Sequence, residues 1–361
     1  MTPVRYTPDV EVIDPEEPRI QAQLVEAFRE ISETTHRDLG HGYRAVHAKS
    51  HALLKATFSV LAGLPAEYAQ GLFATPGTHD ALLRISTNAG DLLPDTVSLQ
   101  RGFAIKVFDV EGERLPGSAD ARTQDFLLAN GIAFPTAGPE PFLRTLQLLA
   151  KTTDKVEGLK KFISLVFRNL EKGVEALGGE SALLTTLGGH PNTNPLGERY
   201  FSQAPIRYGD YMAKVGLFPV SPNFTVLEGR ELDIDGRENA LREEIGVILA
   251  KEGGRWELRV QLCRDLGANP IEDASVPWPE EDNPYVAVAV IDVAPQRAWT
   301  GERAAILDDQ IAFSPWHGIV EHRPLGAIMR ARKPAYEASS GLRGSFNGCP
   351  MHQPGSAALP D

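Results

Sequence analysis

Four histidines, His36, His41, His47 and His51, crowd sixteen residues near the N-terminus. Imidazoles spaced so closely could ligate a metal, fill interior positions or move protons. The spacing fits no established metal pattern: there is no H-E-x-x-H pair and no acidic residue directly after a histidine to support one. His47 lies in "YRAVHAKSHALLKATF", four residues after Tyr43 and three after Arg44. Its own surroundings leave it an interior histidine or a positioned acid–base group. A second constellation stands near the C-terminus, where "IMRARKPAYEASSGLRG" places Arg332, Tyr336 and Arg343 at offsets of four and seven. On a helical period all three point to roughly one face. A guanidinium one turn from a phenol favours the phenolate of a group that otherwise ionises near pH ~10. Packing on an ordinary amphipathic helix accounts for the same spacing. Pro334, between Arg332 and Tyr336, predicts a kink there.

These groups must be held by a body large enough to bury them. The chain has 361 residues, 42% hydrophobic and 23% charged, enough for two ordinary domains or one large barrel with appended helices. A net charge of −12 without long Lys/Arg runs argues against nucleic acid as a partner. The N-terminus shows no basic stretch followed by an apolar one, so no secretory leader is expected. The longest clean apolar run, Tyr285 to Ile291, is far too short to span a bilayer. Two cysteines without C-x-x-C spacing, Cys263 and Cys349, suit unbridged thiols in a cytoplasmic protein.

After a Pro- and acid-rich arm, "QAQLVEAFREISETTHR" has the apolar spacing of a helix. Eight segments then read as strands: Thr57–Gly63, Ala81–Thr87, Gly102–Val110, Gln124–Asn130, Tyr211–Val220, Ile245–Ala250, Trp256–Asp265 and Tyr285–Val293. A long helical insert, about 136–180, interrupts them, and "AAILDDQ" and "LGAIMRARK" read as helix. Strands without alternating crossover helices predict an α+β protein built on an antiparallel barrel or meander. The division is an arm and helix over 1–40, a barrel with its insert over 41–300, and closing helices with a tail over 301–361.

Several motifs, in order and spacing, resemble the haem catalases. They are "RAVHAK" (Arg44–Lys49), "LRIST" with "AG" (Leu83–Gly90), "DTVSLQRGFAIKVFDVEG" (Asp95–Gly112) and "QIAFSP" (Gln310–Pro315). The Arg332 and Tyr336 pair, followed by Arg343, belongs with them. The likeness is close over Gly42–Gly131 and Gln310–Arg343 and looser between. Without a catalase's long N-terminal arm and C-terminal extensions, the chain is similar to a smaller catalase-related haem peroxidase.

The resemblance implies an eight-stranded antiparallel barrel with surrounding helices, and haem b. Tyr336 would be the axial ligand of the iron, with Arg332 holding its oxygen. Arg44, Arg84 and Arg343 would pair the propionates, and Val46, Phe134 and Phe313 would line the haem. His47 would be the distal acid–base histidine, and Ser86 the hydroxyl that fixes its tautomer. The family's distal asparagine falls in register on Arg122, ahead of Thr123 and Gln124, so it is missing. Asn88, at the position of the valine narrowing the access channel, joins the catalytic set as a partial substitute. Leu99 replaces the channel aspartate. The expected activity is reduction of hydrogen peroxide or organic and fatty hydroperoxides with a small-molecule electron donor. The alternatives are a true hydrogen-peroxide-dismutating catalase, a non-catalytic haem-binding protein, and a haem-free lipid-binding barrel. Assembly into a homo-oligomer is left open.

Overall fold

The computed structural model describes residues 2–153 and 191–361. Nine strands form one antiparallel sheet: β1 (Ser50–Val60), β2 (Gly77–Thr87), β3 (Arg101–Val107), β4 (Gln124–Ala129), β5 (Tyr200–Phe201), β6 (Ile206–Tyr208), β7 (Tyr211–Pro219), β8 (Gly254–Leu262) and β9 (Val286–Val293). The two-residue β5 closes the ring. It pairs with β4 at Ala129↔Phe201 and with β7 at Tyr200↔Leu217 and Phe201↔Gly216. Eight strands, β1 to β5 and β7 to β9, therefore form a closed antiparallel barrel, and β6 extends β7 outside it.

Around the barrel stand helices α1 (Glu17–Leu39), α2 (Pro139–Thr153), α3 (Ala240–Leu249), α4 (Gly301–Leu307) and α5 (Ala327–Phe346). The rest of the helical insert expected over 136–180 lies outside the described residues. Seven of the eight expected strand segments overlap β1, β2, β3, β4, β7, β8 and β9. The eighth, Ile245–Ala250, is instead the end of α3. Its buried residues Leu241, Ile245 and Leu249 recur every four positions, one face of a helix, and a short apolar run alone does not separate the two periods. The strand that takes its place in the ring, β5, is too short to leave any pattern.

Alternation sorts the strands. Leu83 and Ile85 of β2, and Phe103 and Ile105 of β3, point into the barrel and are buried in its core with Phe58, Trp256 and Val288. The intervening residues point outward, yet they too are covered. Leu53 and Leu82 pack on Leu307 of α4, and α1, α2 and α5 form a second apolar cluster through Leu24, Phe28, Leu146, Ala331 and Ala335. A buried ion network ties α5 to α1 and the N-terminal arm: Arg330 pairs with Glu11 at 2.6 Å, Glu17 at 2.6 Å and Glu272 at 2.9 Å. Among the described residues, no helix is long and apolar enough to cross a membrane. Cys263 and Cys349 are both unbridged.

Two histidines are sealed in this body without charge. His322 sits in the barrel among Phe73 and Tyr208, its Nε2 accepting the Leu72 N–H at 3.0 Å and its Nδ1 without a partner. Burial pushes its pKa down to about 4. His51, fully buried behind Thr87, is also held well below the usual imidazole range by burial, with Lys49, Arg242, Arg101 and Arg84 adding to it. In the unfolded chain each takes a proton near pH ~6.5; the folded chain refuses it until far lower pH. The unfolded state therefore binds more protons across that window, and stability falls as pH drops through it. The expected loss is up to about 1.4 kcal/mol per pH unit for each histidine. Thermal melts from pH 7 to 4 check this. His322→Gln, which keeps an acceptor but does not titrate, should make the decline shallower, and an unchanged slope would contradict the assignment.

Candidate active site

One cavity of about 300 Å³ opens on the outer face of the barrel. Its floor follows from strand register. Ser86 of β2 pairs with Gly102 of β3, which pairs with Ala129 of β4, while Arg84 pairs with Ala104 and that with Leu127. All six face outward and line the cavity. The small residues Gly102, Ala104 and Ala129 keep the floor low. Its roof comes from α1, through Leu24, Phe28 and Ile31, and from α5, whose residues Ile328, Arg332, Tyr336, Ser339 and Arg343 recur every three to four positions. The eleven residues given a catalytic or cofactor-binding role from the sequence line this space: Arg44, Val46, His47, Arg84, Ser86, Asn88, Phe134, Phe313, Arg332, Tyr336 and Arg343.

His47 is held at both ends. Its backbone is left-handed, with φ 56°, which costs a non-glycine residue about 1 kcal/mol or more. Arg84 Nη2 donates to the His47 carbonyl at 2.8 Å and to that of Ala48 at 3.2 Å. The ring is fixed by a 3.2 Å bond between Nδ1 and Ser86 Oγ. It stands against Gly102, where an added Cβ would be 2.6 Å from Cε1. Nε2 is left for the cavity. Burial, then Arg84, Arg332 and Arg44, lower the His47 pKa to about 3. The imidazole is therefore neutral at ordinary pH.

On α5, Arg332 Nη2 donates to the Tyr336 hydroxyl oxygen at 2.8 Å. The helix runs unbroken through Pro334, from Ala327 to Phe346. Arg332, Tyr336 and Arg343 all reach the cavity. Phe134 packs edge-on against Phe142, with ring centroids 5.0 Å apart. Phe313 has Lys106 Nζ 5.3 Å from its ring centre, the lysine being buried on Asp125 at 2.7 Å.

Two of the other arginines, Arg84 and Arg44, converge on a residue the sequence reading missed, and Arg343 lies near enough to feel its charge. Asp308, just past α4, accepts from Arg84 Nε at 2.6 Å, Arg44 Nη1 at 2.9 Å and Ser50 Oγ at 2.7 Å. Arg44 also caps the carbonyls of Leu307, Asp308 and Ile311, and Arg343 Nη2 donates to Ile311 O at 3.1 Å. Burial raises the Asp308 carboxyl, but Arg84, Arg44 and the bonds from Ser50 and Arg84 outweigh it and hold it below its ordinary value. Burial and Arg84 bring Arg343 down to about 10, and its Nε is buried without a partner. Two guanidiniums thus pair with one half-buried carboxylate, and a third stands close by. Asp309 stands further out, on His41 at 2.9 Å. Two adjacent acids after an apolar helix gave no reason to pair either with an arginine far away in the chain.

One expected position is corrected. Arg122 is 67% exposed, ion-paired with Glu111 at 3.6 Å, and does not line the cavity. It precedes β4 in the loop that crosses the barrel rim, so its charge cannot replace a distal amide. Leu99 does line the cavity, as do the amides of Asn88, Gln100 and Gln203. Gln203 is fixed by bonds to the carbonyls of Gly131 and Ala133, at 3.1 and 2.8 Å. Among the described residues, no three His, Cys, Asp or Glu side chains are grouped to hold a metal ion.

Neither a protein-family model nor a curated protein matches this chain. Solved structures do. A fungal catalase superposes with a TM-score of 0.59 at 17% identity, covering 85% of this chain and 60% of its own. Catalase A from Saccharomyces cerevisiae gives 0.58 at 17% identity, covering 86% and 64%. A bacterial catalase gives 0.54 at 14%, covering 89% and 62%. The chain thus spans less than two thirds of the length of these neighbours, and what it shares with them is the catalase-like barrel fold.

Proposed function

We propose that this protein is a haem-dependent peroxidase of the catalase-related type. The observation that carries this reading is one cavity lined by a tyrosine bonded to an arginine, a neutral histidine bonded to a serine, and three buried arginines. The arginines fit a dianionic macrocycle edge: Arg44 and Arg84 share one carboxylate, and Arg343, on the Ile311 carbonyl, has an Nε without an acceptor. Tyr336 would hold the iron, Arg332 would fix the tyrosine oxygen, and Arg44, Arg84 and Arg343 would meet the propionates. Bound haem would supply a redox-active iron at which the O–O bond of a peroxide is cleaved.

The chain's own residues manage the proton. With Nδ1–H of His47 donating to Ser86 Oγ, Nε2 carries the lone pair that can accept a proton from one peroxide oxygen and return it to the other. With its pKa near 3, His47 holds that proton weakly and passes it on. No inflection is then expected in the rate near pH ~6.5, because the acting form is already complete well below it. A pure haem carrier has no use for such a pair.

For substrate class, the wall supplied by Leu99, Leu24, Phe28, Ile31 and Phe142 favours an alkyl hydroperoxide, at about 0.8 kcal/mol per methylene buried. The distal amides of Asn88 and Gln100 favour the dismutating alternative, since a carboxamide can hold a second hydrogen peroxide.

Three outcomes are expected. Titration of the purified chain with haemin should give a saturable Soret band, and Tyr336→Phe should lose most of the haem or alter that band; an unchanged spectrum would assign the ligand elsewhere. His47→Ala should retain haem but slow the stopped-flow reaction with peroxide by roughly 10²–10⁴-fold, a loss under about tenfold returning His47 to a packing role. Cumene or fatty-acid hydroperoxide should be turned over with a reducing dye faster than hydrogen peroxide releases oxygen. Rapid oxygen release with little organic hydroperoxide use would favour the catalase alternative.

A further inference from the structure

The strongest unexplained feature beside the cavity is the hub at Asp308, behind the arginines that line it. Its carboxylate is half-buried, with 15% of the side chain exposed, and takes bonds from three different parts of the chain. Ser50 presents from β1, Arg84 from β2, and Arg44 from the loop before β1. Arg343 of α5 and Arg242 of α3 lie near enough to feel its charge. Trp299 Nε1 in turn fixes Ser50 Oγ at 2.9 Å. The bond of consequence is that to Arg84. This guanidinium spends Nε on Asp308 and Nη2 on the carbonyls of His47 and Ala48. A planar fork anchored at one edge has a fixed direction at the other. His47 sits in a backbone conformation that it would leave if its carbonyl were released.

We propose that Asp308 is a positioning residue for His47, acting through Arg84. The carboxylate aims the guanidinium, the guanidinium pins the left-handed carbonyl, and Ser86, two residues along the same strand, fixes the ring. This assignment rests on the reading of His47 as the acid–base group, but its structural part does not depend on haem.

Asp308→Asn keeps the shape and removes the charge. In the haem-free chain, hydrogen exchange of the peptide spanning Arg44–Ser50 should quicken by about tenfold or more, as expected for a lost charge-assisted bond. Exchange in β7 and β8 should not change. No change at 44–50, or an equal rise everywhere, would overturn the proposal. In an Arg84→Gln background the same substitution should add less than about twofold at 44–50, given the coupling expected of residues in one network; a full independent effect would overturn it. In the haem-loaded protein, Asp308→Asn should slow the peroxide reaction, and should add nothing to His47→Ala; an added loss there would show that Asp308 acts by another route. If Asp308→Asn does not fold, Ser50→Ala removes the 2.7 Å bond to the carboxylate, together with the 2.9 Å bond from Trp299, and leaves the carboxylate's charge in place. A local rise in exchange at 44–50 then supports the proposal and its absence overturns it. Failure to bind haem would refute the proposed function while leaving the exchange measurements decisive.

Discussion

Which way β2 faces decides the rest of the cavity. The strand alternates between Leu83 and Ile85, sealed inside the barrel, and Arg84 and Ser86, turned out under the helices. A slip of one residue would put a guanidinium into the apolar core and two aliphatic side chains over the cavity. The penalty for burying an unpaired charge is severe, so the pairing has one register. That register also sets Gly102 beneath His47 and Ala104 opposite Arg84. The polar face of a single strand thus reaches both the ring and the carbonyl of one histidine.

The outward face of a barrel strand is ordinarily wet. Here α1, α2 and α5 cover it, and the cavity is what their side chains leave unfilled. Cationic groups in such a place repel one another, which is why Arg44 and Arg343 are held below the usual guanidinium range, by burial first and by their neighbours next. Asp308 relieves part of this, and backbone carbonyls at the end of α4 relieve more. Arg44, Arg84 and Arg343 against Asp308 leave a net positive charge at this end of the cavity.

Much of this was legible in the chain. The segments 81–87 and 102–110 fall on β2 and β3, though the first starts four residues late and the second runs three too long, and the helical offsets of Arg332, Tyr336 and Arg343 survived a proline between them. What escaped has physical reasons. A two-residue strand has no period, and "IGVILA" is too short to separate a helix from a strand. Arg122 was placed by counting along a motif, but where a loop departs from a strand its residues need not follow the register of a relative. Asp308 meets Arg84 across 224 positions of sequence, and no local pattern announces such a partner.

The ring closes through very little. Between β4 and β5 the ladder has a single pair, Ala129↔Phe201, whereas β1 and β2 share ten. Ser202 and Gln203, immediately after β5, line the cavity, as does Ala129. Local opening costs least where the fewest backbone bonds and buried contacts must break. This seam is therefore the hoop's clasp, the place where the barrel breathes first. Because the clasp borders the cavity, its loosening admits solvent beside the distal amides rather than into the sealed interior. A longer strand there would tighten the hoop and slow traffic to the site together.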